Sequence, residues 1–486
     1  MERYVEDFLG NTLWRAAVSF FGPNLTLDVL CSCSFNSWGM TQYLKHTLIG
    51  KIWFRIMCAL VGTAPDVCAA EHFRLLLIHR YDRDMVPKKA QRLNLLLVAI
   101  KYALLFLRVK FLWNVAPGTG HNTNELDYFF RLQATELKDA RVAFLRRPSA
   151  FHNESISLYR DRFWLASNNQ ILCDLLFPIV VSTTNLRIDC GLARGKTQLK
   201  ADGTYDIPPP NQTYLYEISK SDNIKQWHSY YALRNRTLDY TPLIENICCD
   251  PELMNFLSCQ GRKIALVHIK VEVINATAVP TDPNAYLPAI SWLKDNNYQV
   301  VLVGREPYPA QFGALGVLNY SESRLASYRH DVQLFALANV AITAGSGISC
   351  LADCMDKPYV YLDAWHLGIT NPSRRCIIVP CLVRERKTAR LLTFVEQSAL
   401  YLRLSDRGGE RFPIDVYEGR NADAAEVLAA LREALSLKGT ELLSPEQSRY
   451  RDILPKLMRE TVRSRVSQFF LDRHSELLAD APRCES

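Results

Sequence analysis

Near residue 108 the spacing of apolar and polar positions changes character. Residues 1–90 carry aromatic and apolar clusters without sustained alternation and read as several short helices. Within them Ile52–Val61 is apolar, but Arg55 breaks it and it is too short to span a bilayer. Leu93–Leu107 is apolar on most faces, with Asn94, Lys101 and Arg108 spaced seven apart on one narrow stripe. From there the period shortens. Val109–Val115 predicts a strand, Ala116–His121 a glycine-bearing loop, Asn124–Leu137 a helix and Arg141–Leu145 a second strand, together a βαβ unit. Residues 204–245, rich in Pro and Tyr, predict an irregular connection between domains.

A clearer series starts at Lys263. Strands are predicted at Lys263–Val271, Tyr298–Gly304, Val340–Thr343 and Tyr359–Asp363. Helices are predicted at Asn284–Lys294, Asp331–Leu337 and Ile348–Cys354 between them, then at Ala424–Leu437 and roughly Pro445–His474. Strands alternating with helices imply parallel sheets covered on both faces. A chain of 486 residues is too long for one core. The expected fold class is therefore α/β, with two Rossmann-like domains at 108–245 and 246–400. A helical extension at 1–107 precedes them and a helical segment at 401–486 follows.

Composition narrows the function classes. Apolar residues make up 48% and charged residues 22%, which excludes bulk disorder. The net charge of +7 is short of a dedicated nucleic-acid binder, so no nucleic-acid partner is expected. Of 14 cysteines only Cys31/Cys33 and Cys248/Cys249 stand close, without the two-residue gap that chelation favours, so buried reduced thiols are expected. The N-x-S/T sequons are read as chance. Charge is concentrated in one place. Between Glu71 and Lys110 nine Lys/Arg (Arg74, Arg80, Arg83, Lys88, Lys89, Arg92, Lys101, Arg108, Lys110) face only Glu71, Asp82 and Asp84. Such a basic, apolar stretch suits docking on anionic lipid headgroups; a helix buried between domains with a solvated basic rim is the other reading.

Open α/β sheets bind ligands beyond the carboxyl ends of their strands, and the chemistry-bearing residues cluster at those ends. Gly345–Ser346–Gly347 follows a strand and opens a helix with Ser349 in its first turn, a setting that attracts a diphosphate. Asp331 is placed to cap a helix or orient this loop. In the strand around Val267, alternation puts His268 and Lys270 on one face, where a cation would neutralise a leaving diphosphate. Gly118–Thr119–Gly120–His121, followed by Asn122 and Asn124, presents a histidine able to deprotonate an acceptor hydroxyl. Gly304, Arg305, Glu306 and Asp363 stand at strand ends, to hold sugar hydroxyls or cap loops. Thr123 stands where a dinucleotide fingerprint needs its third glycine, so NAD and FAD are disfavoured. HExxH, Walker and G-x-S-x-G motifs are absent, and no D-x-D pair ends a strand, so no metal is expected.

These residues carry a resemblance. His268, Asp282–Gly304 and Asp331–Ala364 are similar to the C-terminal half of a family of bacterial glycosyltransferases with a V-H-x-R strand, an R-M-G-D strand end and an S-G turn. Gly118–Arg131 resembles that family's glycine–histidine motif, Ser167–Leu176 its Asn-led helix, and Arg465–Leu478 its closing segment. The Gly345 turn with Tyr359–Ala364 also resembles the donor turn of heptosyltransferases, and the His268–Lys270 strand the His-x-Arg strand of fucosyltransferases. The resemblance implies a GT-B fold: two Rossmann-like domains facing across a cleft, nucleotide-sugar donor on the C-terminal domain, acceptor against the N-terminal one. By position it puts Gly120 and His121 in the acceptor-side loop; the residues themselves suggest His121 as the base, with Gly118 and Asn122 on the same acceptor side. The resemblance places Lys270 as the phosphate-facing cation and Gly345, Ser346 and Gly347 at the phosphate turn; His268, Gly304, Arg305, Glu306, Ser349 and Asp363 join them as donor-side candidates from their own positions. Two positions depart: Lys270 replaces the usual arginine, and Arg305–Glu306 the usual Asp after glycine.

The expected function is metal-independent transfer of a sugar from a nucleotide diphosphate to a glycan or lipid-linked acceptor in surface polysaccharide synthesis. The nucleotide sugar is a co-substrate and no resident cofactor is expected. The expected location is the cytoplasm, peripheral to the inner face of the membrane. A nucleotide-sugar 2-epimerase of the same fold and a non-catalytic, membrane-docked assembly subunit are the alternatives.

Overall fold

Alternation from Val109 becomes a strand because Val109 and Phe111 find apolar partners in Ala143 and Leu186, with Leu104, Leu105, Leu145 and Leu165 packed around them. The computed structural model describes residues 102–113, 119–145, 150–169, 186–190, 198–199, 205–206, 222–245, 247–258, 261–270, 280–364, 373–405, 414–454, 459 and 463–478. The N-terminal extension up to residue 101, Gly118, and the segment 170–176 of the Asn-led motif lie outside them. The chain falls into two compact units, residues 1–115 with 135–209, and 116–134 with 210–486.

In the first unit β1 (Val109–Trp113) pairs in parallel with β2 (Arg141–Leu145) and β4 (Arg187–Asp189), and β3 (Leu165–Ser167) extends β2. Helix α1 (Thr119–Thr135) lies between β1 and β2 in the chain, and α2 (Ala150–Tyr159) between β2 and β3. The sheet order is β3-β2-β1-β4. A two-residue antiparallel pair, β5 (Gln198–Leu199) with β6 (Tyr205–Asp206), follows.

The second unit takes α1 together with α3 (Asp222–Arg236) and α4 (Pro251–Leu257). Its alternating core is β7 (Lys263–Val267), α5 (Leu287–Asp295), β8 (Tyr298–Leu302), α6 (Ala310–Ala314), β9 (Leu318–Asn319), α7 (Tyr328–Leu337), β10 (Val340–Ala344), α8 (Ser349–Cys354) and β11 (Tyr359–Ala364). Then come β12 (Cys376–Pro380), the antiparallel pair β13 (Leu382–Glu385) and β14 (Tyr417–Arg420), α9 (Phe394–Ser405), α10 (Ala424–Ser436), α11 (Pro445–Ile453), β15 (Arg465–Val466) and α12 (Gln468–Arg473). The helices start where the sequence supplies caps. Asp250 with Pro251 opens α4, Ser327 opens α7, and Asp423–Glu426 and Ser444–Gln447 form capping boxes for α10 and α11.

Among the described residues the main sheet has seven strands in the order β15-β12-β11-β10-β7-β8-β9. Each neighbouring pair is parallel. The chain winds outward from β7 to β9, returns to β10, and winds outward on the other side. That is the doubly wound order, with its switch point between β7 and β10. β8, β10, β11 and β12 are buried along their whole length, matching sequences that are apolar but for Gln299, Thr343 and Asp363.

Four expectations change. Residues 222–236 are a helix rather than irregular connection, because Tyr230, Tyr231 and Leu233 bury one side of it beyond the Pro-rich stretch. Helix α1 starts at Thr119, so Gly120, His121 and Asn122 are helical rather than loop. The segment 445–474 is broken: α11 stops at Ile453 and β15 joins the sheet edge beside β12. The strands expected at 263–271 and 298–304 end at Val267 and Leu302. Among the described residues no helix is long and apolar enough to cross a membrane.

Candidate functional site at the carboxyl edge of the second sheet

Strand register assembles the site. Val267 lies beside both Leu302 and Ile342, and Ala344 beside Leu362. The next residues out are therefore a row across four adjacent strands: Gly304–Glu306 after β8, His268–Lys270 after β7, Gly345–Gly347 after β10, and Asp363 near the end of β11. The row straddles the switch point, where doubly wound sheets receive ligands.

At the β8 end Gly304 adopts φ +106, and a Cβ there would lie 2.6 Å from His268 Cδ2 and 2.8 Å from Glu306 Oε2. Only glycine lets these two side chains meet across it. His268 Nε2 lies 3.3 Å from Glu306 Oε2, which also accepts from the Arg305 N–H at 3.1 Å. Burial works to raise the Glu306 carboxyl, but His268 and the backbone N–H groups outweigh it and hold it below its ordinary value. His268 is 1% exposed and its Nδ1 has no hydrogen-bond partner among the described residues. A buried orphan of this kind calls for an explanation, such as a water or a ligand.

At the switch point Lys270 Nζ donates to the Gly345 carbonyl at 3.0 Å, bridging the ends of β7 and β10. An ammonium has three protons, and this bond commits one of them. Gly345 and Ser346 are half-exposed. Ser349 does not face outward: its hydroxyl donates to Ser346 O at 2.6 Å, and its N–H is bonded to the same carbonyl. Helix α8 is only six residues long, so its dipole adds little here.

Gly347 is covered by α1. A Cβ on Gly347 would lie 2.7 Å from Gly120 N, and one on Gly120 2.7 Å from Gly347 Cα, so the two backbones meet directly. A buried polar ladder holds α1 in that position. Asn124 bonds Cys350 and Cys354, each at 3.2 Å. Asp127 Oδ2 accepts from Arg131 at 2.8 Å and from Tyr230 at 2.9 Å. Arg234 of α3 pairs with Asp353 of α8, whose Oδ1 accepts from Tyr359 and from Ser373 N, both at 3.0 Å. Burial pushes the Cys350 thiol up to about 12, so it is no nucleophile at neutral pH. Asn122 is fully buried in α1, toward Tyr328. His121 stands in the first turn of α1, and its side chain lies outside the described residues.

Asp363 occupies a bulge. The β11–β12 register shifts between Leu362 and Ala364, and Asp363 adopts φ +58, unusual for a residue with a side chain. Its Oδ1 accepts from Ala422 N at 2.9 Å. Burial pushes the carboxyl up to about 7, against the pull of that N–H and of the nearby Thr281 hydroxyl, with Glu426 adding to the rise. Among the described residues the hydroxyls of Thr281 and Tyr286 are buried there, close to Asp363 but without hydrogen-bond geometry to a partner, and so is Asn421 Oδ1, whose amide donates to Pro280 O. The Thr281 N–H donates to Lys270 O at 2.7 Å, making this oxygen-rich corner continuous with the switch point.

Of the residues named from sequence, the fold brings His268, Lys270, Gly304, Arg305, Glu306, Gly345, Ser346, Gly347 and Asp363 onto one edge, with Gly120 against them. Asn122 and Ser349 are committed to internal contacts. Asp331 stands in the first turn of α7, where it accepts from the Tyr320 hydroxyl at 3.0 Å. Sequence reasoning missed Asp127, Arg234 and Asp353, and the corner of Thr281, Tyr286 and Asn421. Only the i,i+4 spacing of Asp127 and Arg131 signalled any of them.

No family model and no curated protein matches the chain. Among solved structures it is similar to the E. coli ADP-heptose lps heptosyltransferase II, at 15% identity over 56% of this chain and 90% of that one, with a TM-score of 0.25. A likeness that slight decides neither fold nor activity, and the site stands on its own geometry.

Proposed function

We propose that the protein is a glycosyltransferase that takes a sugar from a nucleotide diphosphate bound at the carboxyl edge of the second sheet. The observation that carries this reading is the Lys270–Gly345 bridge at the switch point, where a cation and a glycine turn meet at the ends of adjacent strands. In this reading the remaining ammonium protons of Lys270 and the half-exposed Gly345–Ser346 backbone hold the diphosphate and stabilise it as it leaves. His121, at the start of α1, is the base that deprotonates the acceptor hydroxyl. The corner of Asp363, Thr281, Tyr286 and Asn421 offers hydrogen-bond acceptors and hydroxyls but repels an anion, which fits the hydroxyls of the nucleotide sugar rather than its phosphates. The two-lobed GT-B arrangement, with a glycan or lipid-linked acceptor on the first unit, belongs to the same proposal. Both sheets share the order 3-2-1-4 at their core, which supports it.

Incubating the protein with GDP-, UDP-, ADP- and dTDP-sugars, with and without polyprenyl-phosphate glycan acceptors, tests the reading. Sugar transfer that requires the acceptor is expected. Conversion of a nucleotide sugar with no acceptor present would replace transfer by epimerisation, and no turnover with any pair would remove the assignment.

A further inference from the structure

We infer that Cys248 and Cys249 form a bidentate site for a thiophilic electrophile of the organic trivalent arsenical class. Among the described cysteines Cys190, Cys354, Cys376 and Cys381 are buried, and Cys350 is bonded by Asn124. Cys248 is exposed and Cys249 half-exposed, so two thiols stand side by side at the surface of the second unit. Their backbone is fixed from beneath. Gln333 of α7, fully buried, donates from Nε2 to the Cys248 carbonyl at 2.7 Å and accepts at Oε1 from the Asp250 N–H at 3.3 Å. One side-chain amide thus spans Cys249 and holds the residue on each side of it. Asp250 is anchored in turn, since its Oδ1 caps α4 by accepting from the Glu252 N–H at 2.9 Å. A ligand that needs both sulfurs in place therefore orders little new backbone when it binds.

Geometry and charge choose among the reactions open to such a pair. Adjacent Cα atoms lie about 3.8 Å apart across a trans peptide, whereas disulfides ordinarily span about 4.4–6.8 Å. A Cys248–Cys249 disulfide would twist the peptide whose carbonyl Gln333 holds. An atom placed between the two sulfurs removes that demand. Zinc asks for about four ligands, and among the described residues no group of three His, Cys, Asp or Glu side chains converges. Trivalent arsenic that already carries one organic group is satisfied by two sulfurs. Burial and the neighbouring Cys248 raise the Cys249 thiol, which disfavours a pair of thiolates, and the arsenical product is uncharged. In the reaction the As=O bond of R–As=O breaks, two As–S bonds form, and both thiol protons leave with the oxygen as water. Arsenic and sulfur keep their oxidation states, so no outside oxidant or reductant is needed.

The test adds phenylarsine oxide to the reduced full chain and reads peptide mass maps and thermal unfolding. One phenylarsenic group is expected on the peptide that holds Cys248 and Cys249. It should survive excess reduced glutathione, a monothiol, and leave on addition of 2,3-dimercaptopropanol. Cys248→Ser and Cys249→Ser should each weaken this capture about a hundredfold, because a chelate loses its second arm. Neither thiol lies in the core, so both variants should keep the wild-type melting temperature, and the bound arsenical should not lower it. Absence of the label from this peptide, or equal capture by either serine variant, would overturn the inference. So would loss of two hydrogens from the peptide under hydrogen peroxide, with a lower melting temperature and no arsenical uptake.

Discussion

At Gly304 a single methyl group separates two outcomes. Its φ of +106 strains any other residue, and the added Cβ would also strike His268 and Glu306. Gly261, at φ +82, has nothing within 4 Å of its would-be Cβ and isolates the strain alone. Gly304→Ala should cost roughly 2–4 kcal/mol in urea unfolding, strain plus overlap, and Gly261→Ala roughly 1–2 kcal/mol, strain only. Equal costs would show that the His268–Glu306 contact does not depend on this glycine. Asp363 gives a pH-dependent signature. Its folded value of about 7 exceeds the ordinary 3.8, so the folded chain holds a proton that the unfolded chain has lost. Its contribution to stability therefore falls as pH rises from about 4 to about 7 and stays low above that. Asp363→Asn, which keeps an oxygen for Ala422 N–H, should stabilise by up to about 4 kcal/mol at pH 8 and by almost nothing near pH 4. Thermal unfolding across that range reads it, and a pH-independent difference would contradict it. Glycine after a strand was readable as a turn, whereas its reason for being glycine lies 36 positions away at His268.

Helix α1 was legible as a helix, but its allegiance was not. The stretch after β1 reads as part of the same βαβ unit as β2, yet the helix packs with the second unit. The cause is the ladder from Asn124 through Asp127 and Tyr230 to Arg234 and Asp353. Its last rung joins Arg234 to Asp353 across 119 residues of sequence, so no periodicity reveals it. The same blindness hid α3, whose buried Tyr230 and Tyr231 read as turn-rich composition until a partner helix was present. Arg234 is 7% and Asp353 1% exposed, so Arg234→Met strands a buried carboxylate. Loss of roughly 3–5 kcal/mol is expected in denaturant unfolding. Adding Asp353→Asn should return part of it, and a single variant as stable as the wild type would show that the pair does not hold α1.

For the molecule as a whole, strand alternation foretold two parallel α/β sheets, and the second shows the doubly wound order with its switch point at β7 and β10. The carboxyl-edge row followed from that topology, because residues just beyond consecutive parallel strands must share one edge. What the pattern could not supply was the closure of Gly347 by Gly120 or the bulge at Asp363, since both depend on backbone approaches between distant segments. The central claim is that Lys270 and the Gly345 turn form a diphosphate site at that switch point. Isothermal titration of UDP, GDP, ADP and dTDP into the wild type and into Lys270→Ala tests it most directly. The account predicts saturable binding of at least one of them, weakened about tenfold or more when the ammonium is removed. Binding that Lys270→Ala leaves untouched, or no binding of any nucleotide by the wild type, would contradict it.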